Sequence, residues 1–340
     1  MKMKSFKTIS IFIASVMLLL LTACGSNSAN GGSKEKSKVL KMKSADVVSA
    51  KSPYSTGMDE FFSNLKKDTN GKIDVKHFPA GQLGNEAEII EGVKLGTLGF
   101  ALTGSIPDVP ATQAMSLPYL FEDSDHMHRV LDGEIGKKLG KRIEEKAGVK
   151  VIGYVYFAPR VLTVKGKNIK TPEDLKGLKI RVPNNQISIA TWKALGASPT
   201  PMAFTEVFSG LQQGVIDGQE NPYELIASSS LYEVQDTVIE TYHAMPVRYL
   251  IMNKKTYDSL SKEEKDTIEK DWATASKAIE KKYKEEEAKY IQTLKEHGMK
   301  FIKPDIQAFK EATKDVWKDI APEAFGDGVY EEIQALRKEK

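Results

Sequence analysis

The sequence predicts an α/β fold of two similar lobes with a cleft between them. Three observations carry that prediction. Strand-like and helix-like segments alternate from Val39 to about Val247, as in α/β folds built from parallel strand pairs. An internal match recurs at an offset of 118 residues. A run of helical periodicity near the C-terminus is longer than one lobe is wide. The 340-residue length agrees, because single cores stop growing near ~250–300 residues.

In chain order, Lys2, Lys4 and Lys7 come first, with no acid before residue 24. The apolar run Ile9 to Leu21 is about 13 residues long, too short for a bilayer span of ~20. A basic start, a short apolar stretch and a small-residue end describe a secretory signal over residues 1–23. Leu21-Thr22-Ala23-Cys24 resembles the lipobox of bacterial lipoproteins. The resemblance implies that Cys24 is lipidated and becomes the first mature residue, which would tie the chain to a membrane. Residues 25–38 contain no large apolar residue and read, with Cys24, as a flexible tether. A chain of that length reaches about 20 Å.

The body then alternates. VLKMKSA (39–45) and KIDVKHF (72–78) are strand candidates. Residues 86–95 read as a helix stopped at Gly96, and TLGFAL (97–102) as the next strand. Ile89, Gly92, Val93, Gly96 and Leu98 match Val207, Gly210, Leu211, Gly214 and Ile216. Both copies read helix, Gly stop, short apolar strand, and each is expected to follow a strand with a Pro-containing loop, Phe78-Pro79 and Val182-Pro183. A repeated unit of this kind means two lobes of similar build, and small ligands bind in clefts between domains. Ser261 and Glu264 form a capping box. Ile268, Trp272, Ala275, Ile279, Tyr283, Tyr290 and Leu294 then recur at helical spacing up to a His297-Gly298 stop. That is one helix of about 37 residues, ~55 Å long, or two with an unmarked break near residue 284.

Composition narrows the function. The chain is 41% hydrophobic and 28% charged, which excludes collagen-like, disordered and multi-span membrane classes. Without residues 1–23 it holds 46 basic and 46 acidic residues, a poor match to the basic faces that nucleic acid selects. Five scattered His and one Cys argue against a zinc site, and no cofactor is expected. A P-loop, a GxSxG elbow and an HExxH pattern are absent, so no enzyme class is indicated.

Arginine usage points to the site. The chain has 43 Lys and only 6 Arg. Arg129, Arg142 and Arg337 fall in charged helical stretches and read as solvated. Arg160 follows YVYFAP, Arg181 sits in LKIRVP and Arg248 in MPVRYL, all apolar and strand-like. A guanidinium there needs a partner. Its planar fork fits a carboxylate bidentately, as a Lys cannot. The partner is either a ligand anion or an internal Asp or Glu.

TPEDLKGLKIRVPNN and ALGASPTPMAFTEVFSGLQQGVIDGQENP, within 171–222, carry a resemblance, as do FPAGQLGNEAEIIEGVKLGTLGF and LPYLFED. The chain resembles the solute-binding proteins of TRAP (tripartite ATP-independent periplasmic) transporters, of the C4-dicarboxylate-binding type, over roughly residues 39–335. The resemblance implies a periplasmic-binding-protein-like fold, with crossing strands and a long spanning helix. It implies that Arg181 clamps a carboxylate, that Arg160 assists, that Phe204 packs on the ligand and that Asn221 is a polar contact. Where sialic-acid binders carry an acid, this chain has Gly104 and Ser105, which argues against sialic acid. Glu220 reads as a structural acid, and Arg248 as an internal pair at the strand crossing.

The expected function is capture of a C4-dicarboxylate or sugar acid outside the cytoplasm, by a monomer. Delivery would be to the small and large membrane subunits of an ion-gradient-driven permease, or, alternatively, to a membrane receptor kinase. The expected lobes are 39–158 with 247–286, and 159–246 with 287–340.

Overall fold

The computed structural model describes residues 39–338. The expectations for the signal, Cys24 and the tether lie outside the described residues.

The first half of the chain runs β1 (Leu40–Ala45), α1 (Pro53–Asp68), β2 (Ile73–Phe78), α2 (Glu86–Leu95), β3 (Phe100–Thr103), α3 (Pro110–Ala114), α4 (Ser124–Leu131), α5 (Glu134–Ala147) and β4 (Val149–Tyr156). Local chemistry sets these limits. Ser52 caps α1 by accepting from the Tyr54 amide, with Pro53 at the first helical position. Asn85 and Glu88 form a reciprocal capping box on α2. Gly96 ends α2 with φ +80, a conformation that costs a glycine nothing. The strand expected over 97–102 is displaced to Phe100–Thr103, because residues 96–99 are spent on that turn.

The chain continues with β5 (Val161–Val164), β6 (Lys179–Val182), α6 (Gln186–Ala194), β7 (Ser198–Pro201), α7 (Val207–Gln212), β8 (Gly218–Asn221), α8 (Tyr223–Ser228) and β9 (Thr237–Ile239). Last come β10 (Val247–Asn253), α9 (Lys254–Ser259), α10 (Lys262–Glu296), β11 (Lys300–Ile302), α11 (Ile306–Thr313), α12 (Val316–Phe325) and α13 (Val329–Ala335).

Two sheets result, ordered β2-β1-β3-β10-β4 and β11-β9-β5-β8-β6-β7. The internal repeat is visible in them. β1 lies parallel between β2 and β3, as β6 lies parallel between β7 and β8. In each sheet an antiparallel strand then pairs with the third member, β10 with β3 and β5 with β8. The matched residues occupy α2 and α7, each followed by a left-handed glycine, Gly96 or Gly214, and a short strand. One part of the expected match fails. Val182-Pro183 ends β6, which precedes α6, so the counterpart of Phe78-Pro79 is the end of β7 at Pro201.

The chain passes between the sheets at residues 157–160 and 240–246, and the two passages are tied by the Arg160 amide donating to the Ala244 carbonyl at 2.8 Å. The capping box at Ser261 starts α10, which is a single helix of 35 residues with no break near 284. It serves both lobes: Ile268, Trp272, Ile279 and Tyr283 join the core of the first sheet, and Leu294 a core of the second. The last helices return to the first sheet. Ala321, Ala324, Phe325 and Ile333 pack into its core, so residues 316–333 do not stay with the second lobe as the expected 287–340 assignment has it. Three arginines expected to be solvated hold this return in place. The Arg142 guanidinium donates to the Ala324 carbonyl, Arg129 to Leu336 at 2.8 Å and Arg337 to Tyr119 at 2.7 Å.

Candidate functional site

The cleft between the sheets brings together every sequence-predicted site residue that the structure describes: Arg181, Arg160, Asn221 and Phe204. It encloses about 740 Å³, counting its open mouth. Gly104 and Ser105 also line it, as does Arg248.

Arg181 is held by β6, whose other side chains, Ile180 and Val182, fill the core beneath. Pro183 follows the strand, so Arg181 stands at a strand's carboxyl end, where open α/β sheets place their ligands. Its Nε and Nη2 both donate to the Met202 carbonyl, at 2.9 and 2.6 Å. Nη1 has no hydrogen-bond partner among the described residues. Phe204 lies with its ring centroid 5.9 Å from the guanidinium carbon. Burial, and then the neighbouring Arg160 charge, bring its pKa down to about 10, so it stays charged at neutral pH. Only 3% of the residue is exposed, in keeping with its apolar strand context.

Arg160 is used differently. Its Nε meets Glu220 Oε2, and its Nη2 donates to Glu220 Oε1 at 3.0 Å and to the Glu220 carbonyl. Burial disfavours the Glu220 charge, but Arg160 and His243 outweigh it and hold the carboxyl at about 2. His243 approaches Glu220 Oε2 at 3.1 Å and is fixed through its other nitrogen by Thr241 at 2.8 Å. Arg160 is therefore half of an internal pair that lines the cleft. Asn221 is the last residue of β8, and its Nδ2 donates to Gln219 at 2.6 Å, leaving its carbonyl oxygen for another donor.

Glu86 and Phe157 are among the cleft residues that the sequence reading did not single out. Glu86 is the first residue of α2; its Oε1 accepts from Thr103 Oγ1 at 2.8 Å and the Gly104 amide at 2.7 Å. Its Oε2 makes no hydrogen bond within the described residues, which suits a hydroxyl donor. The only signal for it was an acid at a helix start, which ordinary capping also explains. Phe157, just past the end of β4, was hidden in an apolar run. Arg248 departs from expectation: it forms no ion pair among the described residues. It packs on the Phe157 ring at 4.3 Å and the Tyr54 ring at 5.6 Å, with Nε and Nη1 buried and unpartnered.

Two repeated α/β lobes around a cleft lined by guanidinium groups are the architecture of a solute-binding protein. Comparison with known proteins agrees. Residues 44–323 match the model of bacterial extracellular solute-binding protein, family 7, and the chain belongs to that family. A solute-binding protein of Roseobacter denitrificans is 40% identical over 258 residues, 75% of this chain and 79% of that one. The 2,3-diketo-L-gulonate-binding periplasmic protein YiaO of Escherichia coli is 36% identical over 265 residues, covering 77% of this chain and 80% of its own. A crystal structure of a TRAP periplasmic solute binding protein from Roseobacter denitrificans with bound L-galactonate has a TM-score of 0.82 at 35% identity, covering 88% of this chain and 99% of that chain.

Proposed function

We propose that this protein captures a carboxylate-bearing small molecule, a sugar acid or C4-dicarboxylate, outside the cytoplasm. It then hands the acid to the small and large membrane subunits of an ion-gradient-driven TRAP permease. The observation that carries this reading is Arg181: a buried, charged guanidinium at a strand end in the interlobe cleft, with one nitrogen still free. Such a group is costly to bury without an anion, and its fork fits a carboxylate. The L-galactonate in one relative's structure and the diketogulonate in another's name are acids of this kind. Asn221, the free Glu86 oxygen and Ser105 would serve hydroxyls, while Phe204 offers an apolar wall. Arg160 would assist from the cleft wall, where its ion pair with Glu220 holds it in place. Among the described residues no helix is long and apolar enough to cross a membrane. The proposed link to the membrane is a lipid on Cys24, from the lipobox-like Leu21-Thr22-Ala23-Cys24, and the protein is proposed to act as a monomer.

A thermal-shift panel of sugar acids, C4-dicarboxylates and matched neutral sugars tests the reading. A ligand that binds only the folded state raises the melting point. Acids should do so and the neutral sugars should not. A panel in which no acid moves the melting point overturns it. Metabolic labelling with palmitate tests the anchor: Cys24→Ala should carry no label, and label that persists refutes the assignment.

A further inference from the structure

Arg248 enters the cleft from the lobe opposite Arg181. It belongs to β10 of the first sheet, whereas Arg181 belongs to β6 of the second. The residue is 5% exposed. Nε and Nη1 are buried with no hydrogen-bond partner, and no carboxylate among the described residues lies within ion-pairing distance. The Phe157 and Tyr54 rings supply cation–π attraction. That attraction does not replace the hydrogen bonds a desolvated guanidinium has lost.

The three cleft arginines are therefore not equivalent. Arg160 is satisfied by Glu220. Arg181 is half-satisfied by a carbonyl. Arg248 is unsatisfied. Nor do the two available ones come from the same lobe: Arg181 is carried by β6 of the second sheet and Arg248 by β10 of the first. Glu224, a fully buried carboxyl of α8, makes no ion pair with Arg248. The cleft thus offers two guanidinium groups, one on each lobe, with hydroxyl partners on Glu86 and Asn221.

We infer that Arg248 is a second ligand contact and selects acids carrying another carboxylate at the end remote from Arg181, the hydroxylated diacids. The inference rests on the proposed acid-binding function and deepens it. A monoacid would satisfy Arg181 and leave Arg248 buried and bare. A diacid satisfies both, and its hydroxyls meet the polar groups between.

Matched pairs differing only at the far carbon test this: galactonate with galactarate, and gluconate with glucarate, by calorimetry at pH 7.5. In the wild type the diacid of the better pair should bind at least tenfold tighter than its monoacid. In Arg248→Gln that preference should fall below about twofold, while monoacid affinity changes less than threefold. Monoacid binding equal to or tighter than diacid binding in both pairs overturns the inference and leaves the acid-binding function standing. So does a preference that survives Arg248→Gln. Failure of every acid to bind overturns both. Should Arg248→Gln not fold, the wild-type preference alone decides.

Discussion

Arg181 and a buried acid, Glu224, show how much a single group's surroundings decide. Losing one partner of a buried charged contact costs on the order of 2–5 kcal/mol, roughly 30- to 4,000-fold in affinity. Arg181→Ala should therefore weaken acid binding by that range. Arg181→Lys should be nearly as damaging, because a point charge cannot hold both the Met202 carbonyl and a carboxylate in one plane. Calorimetry checks both variants, and binding within threefold of wild type in a folded Arg181→Ala would move the clamp elsewhere. Glu224 gives a pH prediction. Burial raises its carboxyl to about 7, from 4.5 in the unfolded chain. Between those values the folded state holds a proton that the unfolded state has lost, so stability falls as pH rises from about 4.5 to about 7 and is level above. Glu224→Gln removes that slope. Denaturant titrations should show the variant gaining on wild type between pH 4 and pH 8, by up to roughly 3 kcal/mol. A gap that does not change with pH would mean the carboxyl is ionised throughout. Arg181 was legible in sequence because arginine is rare here and this one interrupts an apolar strand. Glu224 was not: a Glu early in a helix is ordinary, and only the tertiary packing takes it from water.

At the scale of elements, α10 is the part of the fold most readable from sequence and the part whose packing is least so. Its start, its end and its apolar positions follow from the capping box, the His297-Gly298 stop and the 3.6-residue period. The partners of those positions do not. Ile279 lies over Gly57 of α1, where an added Cβ would stand 2.2 Å from Ile279 Cγ1, and Trp272 lies over Gly153 of β4, where a Cβ would stand 2.6 Å from the indole. Both glycines permit close approach, which no local pattern announces. Gly57→Ala should therefore destabilise by about 1–3 kcal/mol through overpacking. Ile279→Ala alone should also destabilise, by the cavity it leaves. The double variant should cost clearly less than the two together, since each change relieves the other. Thermal or denaturant unfolding of the three variants measures this, and simple additivity would show that the contact is not shared. The same limit explains α12 and α13. Their return to the first lobe is held by Arg129, Arg142 and Arg337 finding backbone carbonyls far away in sequence.

At the scale of the whole molecule, the two lobes are joined by the passages at 157–160 and 240–246 and spanned by α10. The lobe repeat was visible in the sequence because a helix, a glycine stop and a strand recur at a fixed offset. The junction between the lobes was not, since it is made where two distant passages meet at Arg160 and Ala244. A ligand can shift the balance between open and closed forms only by its differential affinity for them. Here that differential has a source. Arg181 and Asn221 lie on one lobe and Glu86, Ser105 and Arg248 on the other, so a form with the lobes apart would lose part of the set. Moving the population from one part in a hundred closed to ninety-nine takes about 5.5 kcal/mol of preference. That is within reach of two or three charge-assisted hydrogen bonds at about 1.5–3 kcal/mol each. Because α10 is embedded in both cores, closure must proceed by a rotation that keeps its two ends seated. X-ray scattering should accordingly show a smaller radius of gyration with saturating ligand than without. The contraction should shrink in a variant such as Ser105→Asp, which sets a like charge against the ligand on one lobe. An unchanged radius at saturation confirmed by calorimetry would mean that the lobes are fixed and that the acid enters a preformed site.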